Sequence, residues 1–296
     1  MKITNNFGIP QTIVNALHRP TYTKGGANLS ATELITSPRI VQLRRLHADK
    51  LEQDASDMVW ALFGTAIHGV LEHGKDANHI VEQRLHAELD GWTISGAIDL
   101  QTIEEDGELT ISDYKTTGAW AVMNEKIDWE QQLNIYAWLV RCNTDRRIKK
   151  LEIVAIIRDW NRRESLTKEG YPEAPIKVID INLWDFDEQT DFIRGLVQQH
   201  ANALFAAESG EELQECTPAQ TWEKPTTYAI MKVGGVRAKK VCYSEEDAEL
   251  ELASAGKGHE IQVRLGERTR CATFCQVRDY CSQWKKYQAQ EPKGGV

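Results

Sequence analysis

The chain has 296 residues, 41% of them hydrophobic and 27% charged, with a net charge of −9 at pH 7. That length allows one large domain, or a domain with an appendage, to bury a core without disulfide staples, and the acidic balance means that any nucleic-acid contact must use local basic patches. No signal peptide is visible, and the most apolar stretch, MVWALFGTAIHGVL, is short and interrupted by Gly64, His68 and Gly69, which implies a cytoplasmic protein with no membrane partner.

Residues 1–30, with Pro10, Pro20, Gly25 and Gly26, read as an irregular arm. Ser30 and Glu33 have capping-box spacing ahead of ATELI, and Ser37-Pro38 precedes a polar helix, RIVQLRRLHADKLEQ. From about Ser56 to His73, Trp60, Phe63, Ile67 and Leu71 recur at spacings of three and four, which predicts a helix with a buried stripe. The same helix puts His68 and Glu72 on one face. Taken alone, His68 reads first as a core histidine satisfied by a neighbour.

Strands are expected at about 80–89, 92–103 and 108–115. A helix at about 128–142 follows, with Trp129, Leu133, Tyr136 and Val140 as its apolar stripe. The near-continuous apolar run LEIVAIIRDW predicts a central strand. A charged loop at 161–173 leads to a strand at 176–182 and a helix at about 185–207, whose acidic start suits the positive helix end. Between 217 and 264 the composition shifts to TTYAIMKV, GVRAKKVCYS, EEDAELELAS and EIQVRL, which predicts a small α+β appendage.

The basic candidates for nucleic-acid contact are Arg141, Arg146, Arg147, Lys149 and Lys150; Arg158, Arg162 and Arg163; Lys232, Arg237, Lys239 and Lys240; and Arg264, Arg268 and Arg270. Taken singly, each group reads first as a solvated face.

The segment ISGAIDLQTIEEDGELTISDYK, residues 94–115, is a hairpin that carries Asp99, Asp113 and Lys115. Side chains two apart in a strand share a face, so Asp113 and Lys115 project together and Tyr114 points opposite. A three-residue loop of Glu105, Asp106 and Gly107, with glycine left-handed, pairs Glu104 with Glu108 and brings Asp99 opposite Asp113. A two-residue turn would set them on opposite faces. Two adjacent carboxylates stay ionised when a cation sits between them, and hard oxygen ligands suit Mg2+ or Mn2+. An ordinary charged surface hairpin is the alternative.

Four short motifs now stand in order: Gly64 and His68 in FGTAIH, Asp99 in GAID, Asp113 and Lys115 in SDYK, and Gln132 and Tyr136 in QLNIY. With them the chain resembles the PD-(D/E)XK nuclease superfamily, in particular its RecB-like and Cas4-like branch and the related phage-type exonucleases. The resemblance runs from about Ser30 to Val140 and again at the terminal cysteines. It implies an α/β fold, a restriction-endonuclease-like core with a mixed central sheet flanked by helices. The arm would occupy 1–30, the nuclease core 31–209, the α+β appendage 210–270, and a cysteine-rich segment packing on the core 271–296.

The resemblance also implies that His68, Asp99, Asp113 and the carbonyl of Tyr114 ligate Mg2+ or Mn2+. Lys115 would orient or deprotonate the attacking water, and Gln132 and Tyr136 would contact the substrate backbone and brace the site. His68 becomes a ligand on this reading. Glu72 and Glu82 are candidate outer partners of the metal site.

Near the C-terminus, RCATFCQVRDYCSQW spaces Cys271, Cys275 and Cys281 as C-x3-C-x5-C, which in a cytosolic protein suggests metal more than disulfide. In the branch it resembles, a similar trio joins an earlier cysteine to hold a [4Fe-4S] cluster, but here no cysteine precedes Cys142. Cys216 is the candidate fourth ligand, with [4Fe-4S], Zn2+ or no metal all open. Cys142 and Cys242 read as packed thiols.

The function implied is metal-dependent hydrolysis of DNA phosphodiesters by an exonuclease in recombination, repair or processing, with recombination or helicase proteins as partners. The alternatives are an inactive nuclease-fold DNA-binding protein and a structural metal protein.

Overall fold

The computed structural model describes residues 2–18, 23–124 and 126–290. Pro20 of the expected arm and residues 291–296 of the expected C-terminal segment lie outside them. The chain forms two compact units. One runs to Leu213 but omits Leu43–His47, and the other takes Leu43–His47 and the chain from Gln214 onward.

The first unit begins with β1 (Lys2–Thr4), α1 (Gln11–Leu17), β2 (Leu29–Ser30) and α2 (Ala31–Leu34). The expected irregular arm is therefore partly ordered, because β1 finds a parallel partner in β3 (Glu52–Asp54), beyond α3 (Pro38–Leu46). Ser30 and Glu33 form the expected capping box at α2. The polar helix expected to continue to Gln53 stops at Leu46. Ala48–Lys50 are exposed, so no apolar face is gained by extending it.

Next come α4 (Val59–Leu71), β4 (His79–Leu89), β5 (Trp92–Ile103) and β6 (Leu109–Thr117), then α5 (Ala119–Met123), α6 (Ile127–Asn143) and β7 (Ile148–Ile157). The unit closes with α7 (Arg162–Thr167) inside the expected loop, β8 (Ile176–Ile181) and α8 (Phe186–Ser209). The mixed sheet runs in the order β2-β5-β6-β7-β8, with β4 also on β5. β6 and β7 are parallel, and β4/β5, β5/β6 and β7/β8 are antiparallel. This is the mixed central sheet flanked by helices of a restriction-endonuclease-like fold.

Helix α6 is the centre of the core. Its residues from Gln132 to Val140 are all buried, so an apolar stripe understates it: the helix is enclosed on every side. The polar members are satisfied. Asn134 donates to the carbonyls of Glu130 and Asn182 and accepts from Trp184 N and Gln189 Nε2, which removes the penalty of burying its amide. The sheet admits this helix closely at Gly96, where an added Cβ would lie 2.7 Å from Leu139 and 2.8 Å from Tyr136. Cys142, near the helix end, is exposed and not packed, because burial stops at Val140.

Helix α4 departs from expectation. Its stripe is present in the sequence, but none of its residues is buried, and Trp60, Phe63 and Val70 are exposed. Periodicity reports that a helix has an apolar face; it does not report that another element covers that face.

The second unit contains α9 (Pro218–Thr221), β9 (Glu223–Lys224), β10 (Thr227–Lys232), β11 (Ala238–Cys242), α10 (Glu245–Ala255), β12 (His259–Arg264), β13 (Glu267–Arg268) and α11 (Ser282–Gln290). Strands β11-β10-β12 form an antiparallel sheet, and Ile230, Cys242 and Ala248 are its small core. Cys242 is thus a packed thiol.

Candidate metal centre

The geometry starts from the β5–β6 turn. Glu104 N donates to Glu108 O at 2.9 Å and Gly107 N to Glu104 O at 2.9 Å, while Gly107 has φ of 82°. The loop is therefore the three-residue one, and the ladder runs from Ile103↔Leu109 to Leu100↔Ser112. In that register Asp99 comes opposite Asp113. The ladder ends there, because β5 turns the same edge to β2 at Ile94 and Ser95 while its other edge is taken by β4. Between the two pairings the edge of β5 opens, and the side chain of Asp99 fills the gap: its Oδ2 accepts from Tyr114 N at 2.8 Å.

Two linked networks meet at Tyr114. On one side, His68 Nε2 donates to the Tyr114 carbonyl at 3.1 Å, and its Nδ1 lies 3.3 Å from Asp99 Oδ1 and 3.7 Å from Glu82 Oε1. The bond to Asp99, then that to Glu82, holds the His68 pKa up to about 10 against its burial. On the other side, Lys115 Nζ lies 2.6 Å from Asp113 Oδ2, an ion pair without hydrogen-bond alignment. Lys115 also donates to Gln132 Oε1 at 3.0 Å. Gln132 Nε2 is shared between Asp113 Oδ1 at 3.2 Å and the Tyr136 hydroxyl at 2.8 Å. Asp113 is only 2% exposed. Burial pushes its pKa up to about 6 in spite of Lys115, and the charge on Asp99 adds to the rise.

A proton on His68 and the ammonium of Lys115 here supply the positive charge that two facing carboxylates require. A hard cation would do the same with oxygen ligands, after His68 gives up its proton. His68, Glu82 and Asp99 each offer an atom within 4.8 Å of the others. With Asp113 Oδ2 buried and poorly aligned, this donor set fits Mg2+ or Mn2+.

All of His68, Asp99, Asp113, Tyr114, Lys115, Gln132 and Tyr136 are brought into these networks. Glu72 is exposed at the end of α4, and its described contact with His68 is a backbone one, its N–H donating to the His68 carbonyl. Glu82, weighed in the sequence only as an outer partner, stands beside Asp99. A sequence signal for it exists in Asp90-Gly91, a two-residue turn with both φ angles positive. That turn pairs Leu89 with Trp92 and continues to Val81↔Leu100 and Gln83↔Ile98, so Glu82 falls opposite Asp99. Glu82 has φ of 49°, an uncommon conformation for a non-glycine residue in a strand.

In the second unit no disulfide joins any cysteine. Gln283, two residues past Cys281, grips Cys216 by both backbone groups, accepting from its N–H and donating to its carbonyl at 2.9 Å each. Burial pushes the Cys271 thiol up to about 11, and the thiols of Cys275, Cys216 and Cys281 add to the shift. No three of these thiols come within 4.8 Å of one another among the described residues.

The basic groups named from the sequence are unequal. Lys149 is paired with Asp106, Lys150 with Glu152 and Asp180, Lys240 with Glu251 and Arg268 with Glu223. The guanidinium of Arg158 instead sits 4.3 Å above the ring of Trp60. No described helix is long and apolar enough to cross a membrane.

A family model described as the PD-(D/E)XK nuclease superfamily matches residues 75–282, more than half of the chain. The span holds the two carboxylate strands, α6 and the terminal cysteines, and begins just after His68. The solved structure of SSO0001 is 18% identical, with 71% of this chain and 93% of that chain covered and a TM-score of 0.44. None of the curated proteins matches the chain.

Proposed function

The chain belongs to the PD-(D/E)XK nuclease superfamily, and on that premise we propose that it is a divalent-metal-dependent deoxyribonuclease of the RecB-like, phage-type branch, working as an exonuclease in DNA recombination, repair or processing. The observation that supports this most is the meeting of His68, Asp99, Asp113 and Lys115 at the open edge of β5. The exonuclease and RecB-like parts rest on the order of the G-x-x-x-H, Asp, D-x-K and Q-x-x-x-Y motifs.

His68, Asp99, Asp113 and the Tyr114 carbonyl would hold Mg2+ or Mn2+, with Glu82 as a further carboxylate. Such an ion, when bound, polarises the scissile phosphate and lowers the pKa of its water. Lys115 supplies a fixed positive charge against which negative charge on the phosphate oxygens can develop, and a donor that orients the attacking water. Gln132 holds the Lys115 ammonium and the Asp113 carboxylate through one amide. Tyr136 anchors that amide in turn.

The test is cleavage of linear and circular, single- and double-stranded DNA in Mg2+ and in Mn2+, beside Lys115→Ala. We expect attack on linear substrates and a rate loss of about 10²- to 10⁴-fold in the variant, the range for a positioned proton-transfer group. Equal cleavage by both proteins would remove the proposed site, and attack on circular DNA would remove the exonuclease assignment.

For the cysteines, the reading supported best is an iron–sulfur cluster on Cys216, Cys271, Cys275 and Cys281. A closed zinc tetrahedron with bonds of ~2.3 Å needs thiolates ~3.8 Å apart. The likeness of Cys271, Cys275 and Cys281 to the terminal trio of the Cas4-like branch favours the cluster instead. A brown protein with a band near about 400 nm supports the cluster, and a colourless protein with stoichiometric zinc refutes it.

A further inference from the structure

Helix α4 sets His68 against the Tyr114 carbonyl and Gly64 against Thr116, whose Oγ1 lies 3.3 Å from a Cβ placed at Gly64. The helix thus runs antiparallel to β6, and Trp60 comes beyond Thr116, about 12 Å along the axis from His68. That is three or four base steps of ~3.4 Å. At this end of the sheet Arg158 N donates to Thr117 O at 2.9 Å, and its guanidinium covers one face of Trp60. Phe63 meets the indole edge-on, with centroids 6.4 Å apart. Trp60 is nevertheless 57% exposed.

The same sheet end carries a second pair. Ala119 N donates to Asp159 Oδ1 at 2.7 Å, and the next residue, Trp120, is 65% exposed with Lys126 Nζ 4.6 Å above its ring. An indole with a cation on one face and solvent on the other costs apolar exposure and brings nothing to the core. Arg158 has no carboxylate in salt-bridge range among the described residues, so its charge is available to a phosphate.

We propose that Trp60 with Arg158, extended by Trp120 with Lys126, is a stacking platform for unpaired bases of the DNA strand that enters the metal centre. The proposal deepens the nuclease reading and rests on it for the identity of the strand. A base presents its face to an indole only where it is unpaired or terminal, whereas bases inside a duplex already have both faces stacked. Cations beside each ring attract the phosphates between those bases. The platform continues the site along β6, past Lys115, and the positive charge opposes the acidity of the chain as a whole.

The test is fluorescence anisotropy of a labelled single-stranded oligonucleotide and of a closed hairpin duplex, in EDTA and in Ca2+, with wild type, Trp60→Ala, Trp60→Phe and Trp120→Ala. The expected result is a loss of about tenfold in single-strand affinity for Trp60→Ala, less than twofold on the closed duplex, and retention in Trp60→Phe. A further loss is expected in the Trp60→Ala/Trp120→Ala double variant. Circular dichroism and melting of Trp60→Ala should match wild type, since the side chain is exposed. Unchanged single-strand binding, an equal loss on both substrates, or no single-strand binding by wild type in either buffer would overturn the platform. So would a variant whose only defect is dissociation of a dimer, which would make this face a contact between copies of the chain. Failure of the nuclease reading is distinguishable: a protein that binds single strands through Trp60 but does not cleave them keeps the platform and loses the enzyme.

Discussion

At the scale of single residues, the least expected feature of the site is Glu82. A left-handed backbone costs a non-glycine residue about 1–2 kcal/mol, and in a strand it diverts the side chain from the alternation that would otherwise govern it. Here the residue so held is the one whose carboxylate lies beside His68 and Asp99, which ties the strain to the site and not to the fold. Asparagine tolerates this conformation and valine does not. Glu82→Asn should therefore melt close to wild type but bind Mn2+ about tenfold more weakly, while Glu82→Val should also lose about 1–2 kcal/mol of stability. Calorimetric Mn2+ titration and thermal unfolding of both variants check this. Unchanged Mn2+ affinity in Glu82→Asn would exclude Glu82 as a ligand.

At the scale of elements, the hairpin shows how one loop residue sets the position of a charge. Deleting Gly107 draws Glu108 into the three-residue loop and slips β6 by one position, which moves Asp113 and Lys115 together to the other face. We expect loss of metal-dependent cleavage and of stability together, because the buried Asp113 would lose the Gln132 amide and its place opposite Asp99. A Gly107→Asn variant, which retains a left-handed loop residue, should keep most of both; assays of the two side by side test the register argument. A second element-level prediction concerns β1. Asp54 accepts hydrogen bonds from the N–H groups of Asn6 and Ser56 and from the hydroxyls of Ser56 and Thr4. The first of these contributes most to lowering its pKa from 3.8 to about 2. A depressed carboxylate stabilises the fold above its unfolded pKa and loses that contribution as pH falls through its folded one. Amide-exchange protection of Asn6 and Ser56 should thus decline between about pH 4 and pH 2, and Asp54→Asn should flatten the change. Equal pH dependence in the variant would show that other groups hold this corner.

At the scale of the whole molecule, the two units have different sources of stability. The first has a large apolar core around α6, whereas the core of the second is small. A bound cluster would add folding free energy where apolar burial is limited. Cys216→Ser and Cys281→Ser should each lower bound iron and destabilise the second unit. Cys142→Ser and Cys242→Ser should leave iron content unchanged, since one thiol is exposed and the other belongs to the α10–β10 core. Iron and zinc analysis of the four purified variants decides it.

The local chemistry of the site was legible in the chain alone. Glu105-Asp106-Gly107 implied the register, and D-x-K spacing placed Asp113 and Lys115 together, because strand periodicity and turn geometry are local properties. The extents of β4, β5, β6, β8 and α8 followed from periodicity for the same reason, whereas β7 begins and ends three residues earlier than the apolar run LEIVAIIRDW. What only the tertiary structure decided is whatever depends on a neighbour. Asp99 reaches Tyr114 because β2 and β6 divide one edge of β5, and α6 is enclosed because elements from both ends of the unit close over it. The face of α4 is open because no described element covers it. An apolar pattern states what a segment can bury; only the assembled fold determines whether it does, and here that difference leaves Trp60 in solvent, about 12 Å along α4 from His68.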